Sequence, residues 1–127
     1  MYAPYLGALD ERPIRDYIHV GRGLGMQILS RKALRDYWEG YRGEDRAALE
    51  QALKAWYREV KQARWSNANE VKQKYSSASI LKKGRVVFNI CGNKFRLVVG
   101  VNYSVKVVYI KWVGTHTEYD DIDAEEV

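Results

Sequence analysis

The sequence is poor in the residues from which covalent and metal-based scaffolds are built. Its 127 residues include one cysteine, Cys91, and two histidines, His19 and His116. A single thiol cannot close an internal disulfide, and with no C-x-x-C pair a zinc site would lack ligands. The expectation is therefore a protein with no metal and no other cofactor. The two prolines, Pro4 and Pro13, both lie near the start of the chain. No apolar run approaches the ~18 residues that a membrane-spanning helix needs. The N-terminus also lacks the basic segment followed by a continuous apolar stretch that marks an export signal. These absences point away from a membrane and towards a reducing, cytoplasmic setting.

The composition is that of a folded domain, with 46% hydrophobic and 29% charged residues. A chain of this length holds one core. The formal charge of +5 is unevenly spread. Between Met26 and Thr117 there are 18 Lys and Arg against 7 Asp and Glu, whereas the last ten residues carry Glu118, Asp120, Asp121, Asp123, Glu125 and Glu126 and no base. A body of +11 attracts polyanions through counterion release, so RNA or DNA is the expected class of partner.

Residues 1–25 contain both prolines and four glycines and have no sustained hydrophobic period. They read as an irregular extension, or as a mis-assigned start ahead of a domain spanning 26–127. Met26 to Leu29 reads as a first strand. Ser30 is a candidate N-cap for a helix ending at Gly43, in which Leu34, Tyr37, Trp38 and Tyr41 repeat at helical spacing. A second helix over 44–63 buries Leu49, Ala52, Leu53, Trp56 and Val60 and gains the Glu50 to Lys54 pair. The polar segment 66–75 allows a short helical turn, and 76–84 reads as a loop.

From Arg85 the hydrophobic period changes from 3.6 to 2. Strands over 85–90, 94–103 and 107–113 are expected, the first two joined through Gly92-Asn93 and the last closed by Gly114. The pairing can be tested for consistency, because one face must be apolar throughout. With that turn, Ile90, Phe88 and Val86 face Phe95, Leu97 and Val99. A second turn at Ser104-Val105 sets Val101, Val99 and Leu97 opposite Val108, Ile110 and Trp112. The other face then collects Arg85, Asn89, Lys94, Arg96 and Lys111, with Asn89 across from Arg96 and Lys111 across from Val98. Next comes Thr115-His116-Thr117-Glu118, a T-x-x-E capping box that places His116 in the first turn of a short C-terminal helix. An imidazole at the rim of a cationic face is a candidate for proton transfer near neutral pH, and a helix N-terminus there would favour an anion.

Three segments taken together resemble the HigB toxins of the RelE/ParE superfamily. They are Ile28-Leu29-Ser30-Arg31-Lys32-Ala33-Leu34, then Val86-Val87-Phe88-Asn89-Ile90 with Gly92-Asn93-Lys94-Phe95-Arg96-Leu97, and Thr115-His116-Thr117-Glu118-Tyr119-Asp120. The likeness runs from Met26 to the last residue. It implies an α+β fold in which two N-terminal helices pack on a small twisted, mainly antiparallel sheet followed by a short C-terminal helix. It also implies ribosome-associated cleavage of messenger RNA and neutralisation by a HigA-type helix-turn-helix antitoxin. By that resemblance the catalytic group is Arg96 and His116, with Tyr119 and Lys111 beside them. The cationic face itself offers Lys82, Lys83, Arg85, Asn89 and Lys94 as the residues that hold the RNA. Two other classes compete. Members of the same superfamily act as non-enzymatic gyrase poisons, against which His116 beside Arg96 argues. A plain RNA-binding module would carry stacking aromatics on the polar face, where only Tyr103 and Tyr109 qualify.

Overall fold

The computed structural model describes residues 25–127. The extension expected over 1–25 therefore lies, except for Gly25, outside the described residues. The elements follow in the order β1 (Gln27–Leu29), α1 (Lys32–Gly40), α2 (Arg46–Gln62), α3 (Ala68–Lys74), β2 (Ser79–Ile80), β3 (Arg85–Ile90), β4 (Phe95–Asn102), β5 (Val107–Thr115) and α4 (His116–Tyr119). The strands form one sheet in the order β1-β5-β4-β3-β2. Among the described residues only the β1–β5 pair is parallel, so the mainly antiparallel α+β architecture expected from the sequence is the one observed.

The helices form where the apolar spacing predicts, with shorter ends. Ser30 does not cap α1: it has φ of 67°, and Arg31 stands at the cap position with no side-chain bond. Ser30 contributes its carbonyl instead, which accepts from the Ala33 N–H at 3.1 Å as the chain reverses out of β1. Helix α1 stops at Gly40 rather than Gly43, because Tyr41 turns extended. Tyr41 still packs edge-on to Phe95, with ring centroids 5.1 Å apart. Helix α2 buries Leu49, Leu53, Trp56 and Val60 on one face, and Lys54 bonds Glu50 at 2.7 Å on its flank. The expected helical turn near residue 70 is the two-turn helix α3. Its N-cap Asn67 accepts from the Glu70 N–H at 3.0 Å, and it buries only Val71.

The β3–β4 register is the expected one: Ile90, Phe88 and Val86 pair with Phe95, Leu97 and Val99, and Asn89 pairs with Arg96. Phe88 lies at the centre of the main core, with Tyr75, Trp56 and Trp65 at centroid distances of 5.0, 5.4 and 6.4 Å. Between β4 and β5 the expectation holds for Val101 with Val108 and Val99 with Ile110 and then fails by one residue. A bulge at Val98/Val99 pairs Val98 with Trp112 and Leu97 with Val113, leaving Lys111 as the extra residue. A bulge shifts every later side chain to the opposite face. Trp112 therefore joins the outer face and Val113 the core. Strand β5 also runs on through Gly114 to Thr115.

The shift changes the outer face, which the sequence pattern presents as polar. Val87, Val98 and Trp112 form a second apolar patch there, covered by Leu81, Tyr119, Ile122, Ala124 and Val127. The acidic C-terminal segment is thus folded back across the sheet.

Candidate functional site

One corner of the outer face is built from the β3–β4 turn and the end of β5. Asn89, Arg96 and Gly114 form a row across three strands. Gly114 is required there, since a Cβ would lie 2.5 Å from the Trp112 ring and 2.8 Å from Glu118 Oε1. The half-buried Arg96 curls over its own turn. Its Nη1 donates to the Asn93 carbonyl at 3.0 Å and the Phe95 carbonyl at 3.2 Å, and its Nη2 donates to Asn93 Oδ1 at 3.4 Å. These bonds use three of a guanidinium's five N–H donors, so the group both braces the turn and keeps donors for a ligand.

His116 begins α4 directly after the last sheet pair, Phe95 with Thr115. Its backbone N–H donates to the Lys94 carbonyl at 2.9 Å, which extends the ladder by one step and fixes the residue beside the turn that carries Arg96. The capping box foreseen in the sequence is present: Thr115 Oγ1 accepts from the Glu118 N–H at 3.1 Å, and Glu118 Oε1 accepts from the Thr115 N–H at 2.9 Å. The helix so capped has four residues, too short for a substantial macrodipole. The His116 side chain is exposed and, among the described residues, has no hydrogen-bond or ion-pair partner.

The remaining expected residues divide between this corner and the far end of the face. Lys94 belongs to the corner and bonds Asp45 Oδ1 at 2.9 Å, tying the turn to the start of α2; that bond raises the lysine pKa above its ordinary value. Tyr119 packs its ring against Trp112 at 6.2 Å, within the apolar patch. Lys111 is not beside Arg96. The bulge carries it towards Gly100, where a Cβ would lie 3.3 Å from Arg85 Nη1 and 3.4 Å from Lys111 Cε. Arg85 pairs with Gly100 four residues before Asn89, so this second cationic group lies about 13 Å from the corner at ~3.3 Å per residue. Lys82 and Lys83 precede it, and Lys111 Nζ sits 5.5 Å over the Tyr109 ring. Of the two aromatics weighed as base platforms, Tyr109 is exposed on this face, whereas Tyr103 packs on the main core and burial raises its pKa.

A groove not foreseen in the sequence opens beside the corner. It is lined by Asp36, Tyr37, Tyr41 and Arg42 from the end of α1, together with Thr115 and Glu118. Burial first, then the nearby Glu118 charge, pushes the Tyr37 pKa up to about 12. Its only advance signal was the Tyr37–Tyr41 stripe, which helical spacing assigns to the core. Among the described residues no three His, Cys, Asp or Glu side chains converge as metal ligands, and no helix is long and apolar enough to cross a membrane.

Two helices laid on a five-stranded, mainly antiparallel sheet with a short C-terminal helix agree with the fold that the likeness implies. A comparison with curated proteins finds no match to the chain. The family model described as HigB toxin, the RelE-like toxic component of a toxin-antitoxin system, matches residues 49–122, from the first turn of α2 to beyond α4. That span contains the whole β2–β5 sheet segment and every candidate site residue, and it covers more than half of the chain. The chain belongs to the HigB family of RelE-like toxins, the toxic components of toxin-antitoxin systems.

Proposed function

We propose that the protein is an endoribonuclease that cuts messenger RNA, in association with the ribosome as the family likeness implies. The observation that carries this reading is the unpartnered His116 imidazole held beside the Arg96 turn at the rim of a cationic sheet face. RNA supplies its own nucleophile, so no metal is needed in the scheme. The 2′-hydroxyl loses its proton, O2′ attacks phosphorus, the P–O5′ bond breaks and O5′ takes up a proton. The products are a 2′,3′-cyclic phosphate and a 5′-hydroxyl. His116 is the proton-transferring group, and Arg96 offsets the charge that grows on the non-bridging oxygens. Tyr119, packed at a tilt against Trp112, orients the turn that carries His116. Asn89 and Lys94 contact the RNA at the corner. Lys82, Lys83, Arg85 and Lys111 bind its backbone further along, which moves Lys111 from the chemistry to the grip.

The family implies an antitoxin partner, and we take it to be of the HigA helix-turn-helix type. The place of action is the cytoplasm, where ribosomes engage messenger RNA. Expression of the chain without an antitoxin should stop translation and leave messenger fragments ending in cyclic phosphate, with chelator having no effect on cleavage by the purified protein. Growth arrest with intact messenger RNA and broken DNA would favour the gyrase-poison reading, and harmless expression of folded protein would overturn both.

A further inference from the structure

The acidic C-terminal segment lies on the cationic end of the outer face and meets it in a specific way. Ile122, Ala124 and Val127 turn inward onto Val87, Val98 and Trp112. Asp121, Asp123 and Glu126 stay exposed, and Glu125 is half-buried. The segment ends in a closed turn: Asp123 accepts through its carbonyl from the Glu126 and Val127 N–H groups at 2.9 and 3.1 Å, and through Oδ1 from the Glu125 N–H at 3.0 Å. That turn delivers three contacts to the basic residues. Glu126 pairs with Lys83, Glu125 Oε2 accepts from the Lys82 N–H at 3.3 Å, and the Val127 main-chain oxygen accepts from Arg85 Nη2 at 2.6 Å.

These contacts place acidic or carbonyl oxygens where an RNA backbone would place phosphate oxygens, and the fit to Arg85 is incomplete. Nε and Nη2 lie on one edge of a guanidinium, the edge that grips a phosphate or carboxylate bidentately. Here Nη2 is satisfied, while Arg85 Nε is buried and has no acceptor among the described residues. A buried donor left without a partner favours any ligand that can complete the pair. The ion pair is exposed and weak in itself, so the segment is held by a small apolar patch and a few exchangeable polar bonds.

We propose that residues 120–127 are a built-in competitor for the RNA phosphate backbone, which displaces their acidic turn from Lys82, Lys83 and Arg85 when it binds. The proposal rests on the ribonuclease reading for its ligand, but it concerns the grip and not the chemistry. His116 and Arg96 lie outside the covered end, so the segment sets how tightly substrate is held and leaves the cleavage step alone.

The test uses the full-length chain, polyuridylate as probe, and the Glu125→Gln/Glu126→Gln double variant. That variant keeps the apolar anchors Ile122, Ala124 and Val127 and removes only charge. Removing one weak ion pair, Glu126 with Lys83, and the Glu125 charge at the Lys82 amide should tighten binding about three-fold. It should also steepen the salt dependence, by about 0.7 in the logarithmic slope for the one lysine freed. In the wild type, the Glu126 and Val127 amides should lose hydrogen-exchange protection when polyuridylate is added. Unchanged affinity in the variant, or tail amides that stay protected in the wild-type complex, would overturn the proposal and leave the ribonuclease reading standing. No binding by either protein at low salt would overturn the proposal together with the RNA role of this face.

Discussion

The two faces of the sheet are made by the same strands and are buried by different means. On the inner face α1, α2 and α3 bring Leu34, Leu49, Leu53, Trp56, Val60 and Val71 onto Phe88, Leu97 and Val99, all nearly or fully removed from water. Among the described residues of the outer face, only Val87 and Val98 are sealed to that degree, under a segment that also carries the acids. Stability concentrates on the first face, and the cations, the unpartnered histidine and the exchangeable contacts concentrate on the second. A face that must receive a ligand cannot be closed permanently by packing.

Substitutions at matched depth sharpen this contrast. The largest effect is expected for Phe88→Ala, which empties the space between Trp56, Trp65 and Tyr75 and should cost about 3–5 kcal/mol in chemical denaturation. Val98→Ala, equally buried but on the outer face, should cost about 2 kcal/mol. Equal losses would show that the covered patch is a second full core, and the distinction between the faces would fail.

Thr115→Ala removes the side-chain half of the capping box, worth about 1 kcal/mol. Because the same bond holds the turn that begins with His116, cleavage should fall further than stability does; proportionate falls would mean that the cap only stabilises. The smallest effect concerns Tyr37. Its pKa is raised from 10.0 to about 12, so the folded state holds the proton more tightly than the unfolded state does. The associated stability is complete below about pH 10 and is lost as pH rises towards 12. Tyr37→Phe should reduce that loss, while Tyr75, also raised by burial and by its bond to Glu59, keeps a residual slope. An identical alkaline profile in wild type and variant would contradict the burial of Tyr37 beside Glu118.

Much of the fold is legible in the sequence because its signals are local and periodic. The α2 stripe, the β3–β4 register and the Thr115–Glu118 cap each follow from spacings within a few residues. What escapes has no such spacing. Strand β2 is two residues long and reads as loop. The bulge at Val98/Val99 answers to packing across the sheet, and by moving Lys111 and Trp112 it redrew the outer face. The covering of that face by residues 120–127 is likewise tertiary, since acids next to a basic body read as solvated charge until the chain is seen to fold back. Arg96 and His116 were legible as a pair because one lies just after a recognisable turn and the other just after the strand that pairs with it.

If Arg96 and His116 act on the chemistry while the lysines act on binding, single-turnover cleavage of a messenger RNA in a programmed ribosome separates the two, once circular dichroism has shown each variant to be folded. Arg96→Ala should slow cleavage about 100-fold or more at saturation, on the order of 3 kcal/mol, with affinity little changed. His116→Ala should slow it by roughly 100 to 10,000-fold. Lys82→Ala and Lys83→Ala should weaken binding and flatten its salt dependence while leaving the saturated rate nearly intact. Full activity in both Arg96→Ala and His116→Ala would contradict the assignment of this corner as the site of cleavage.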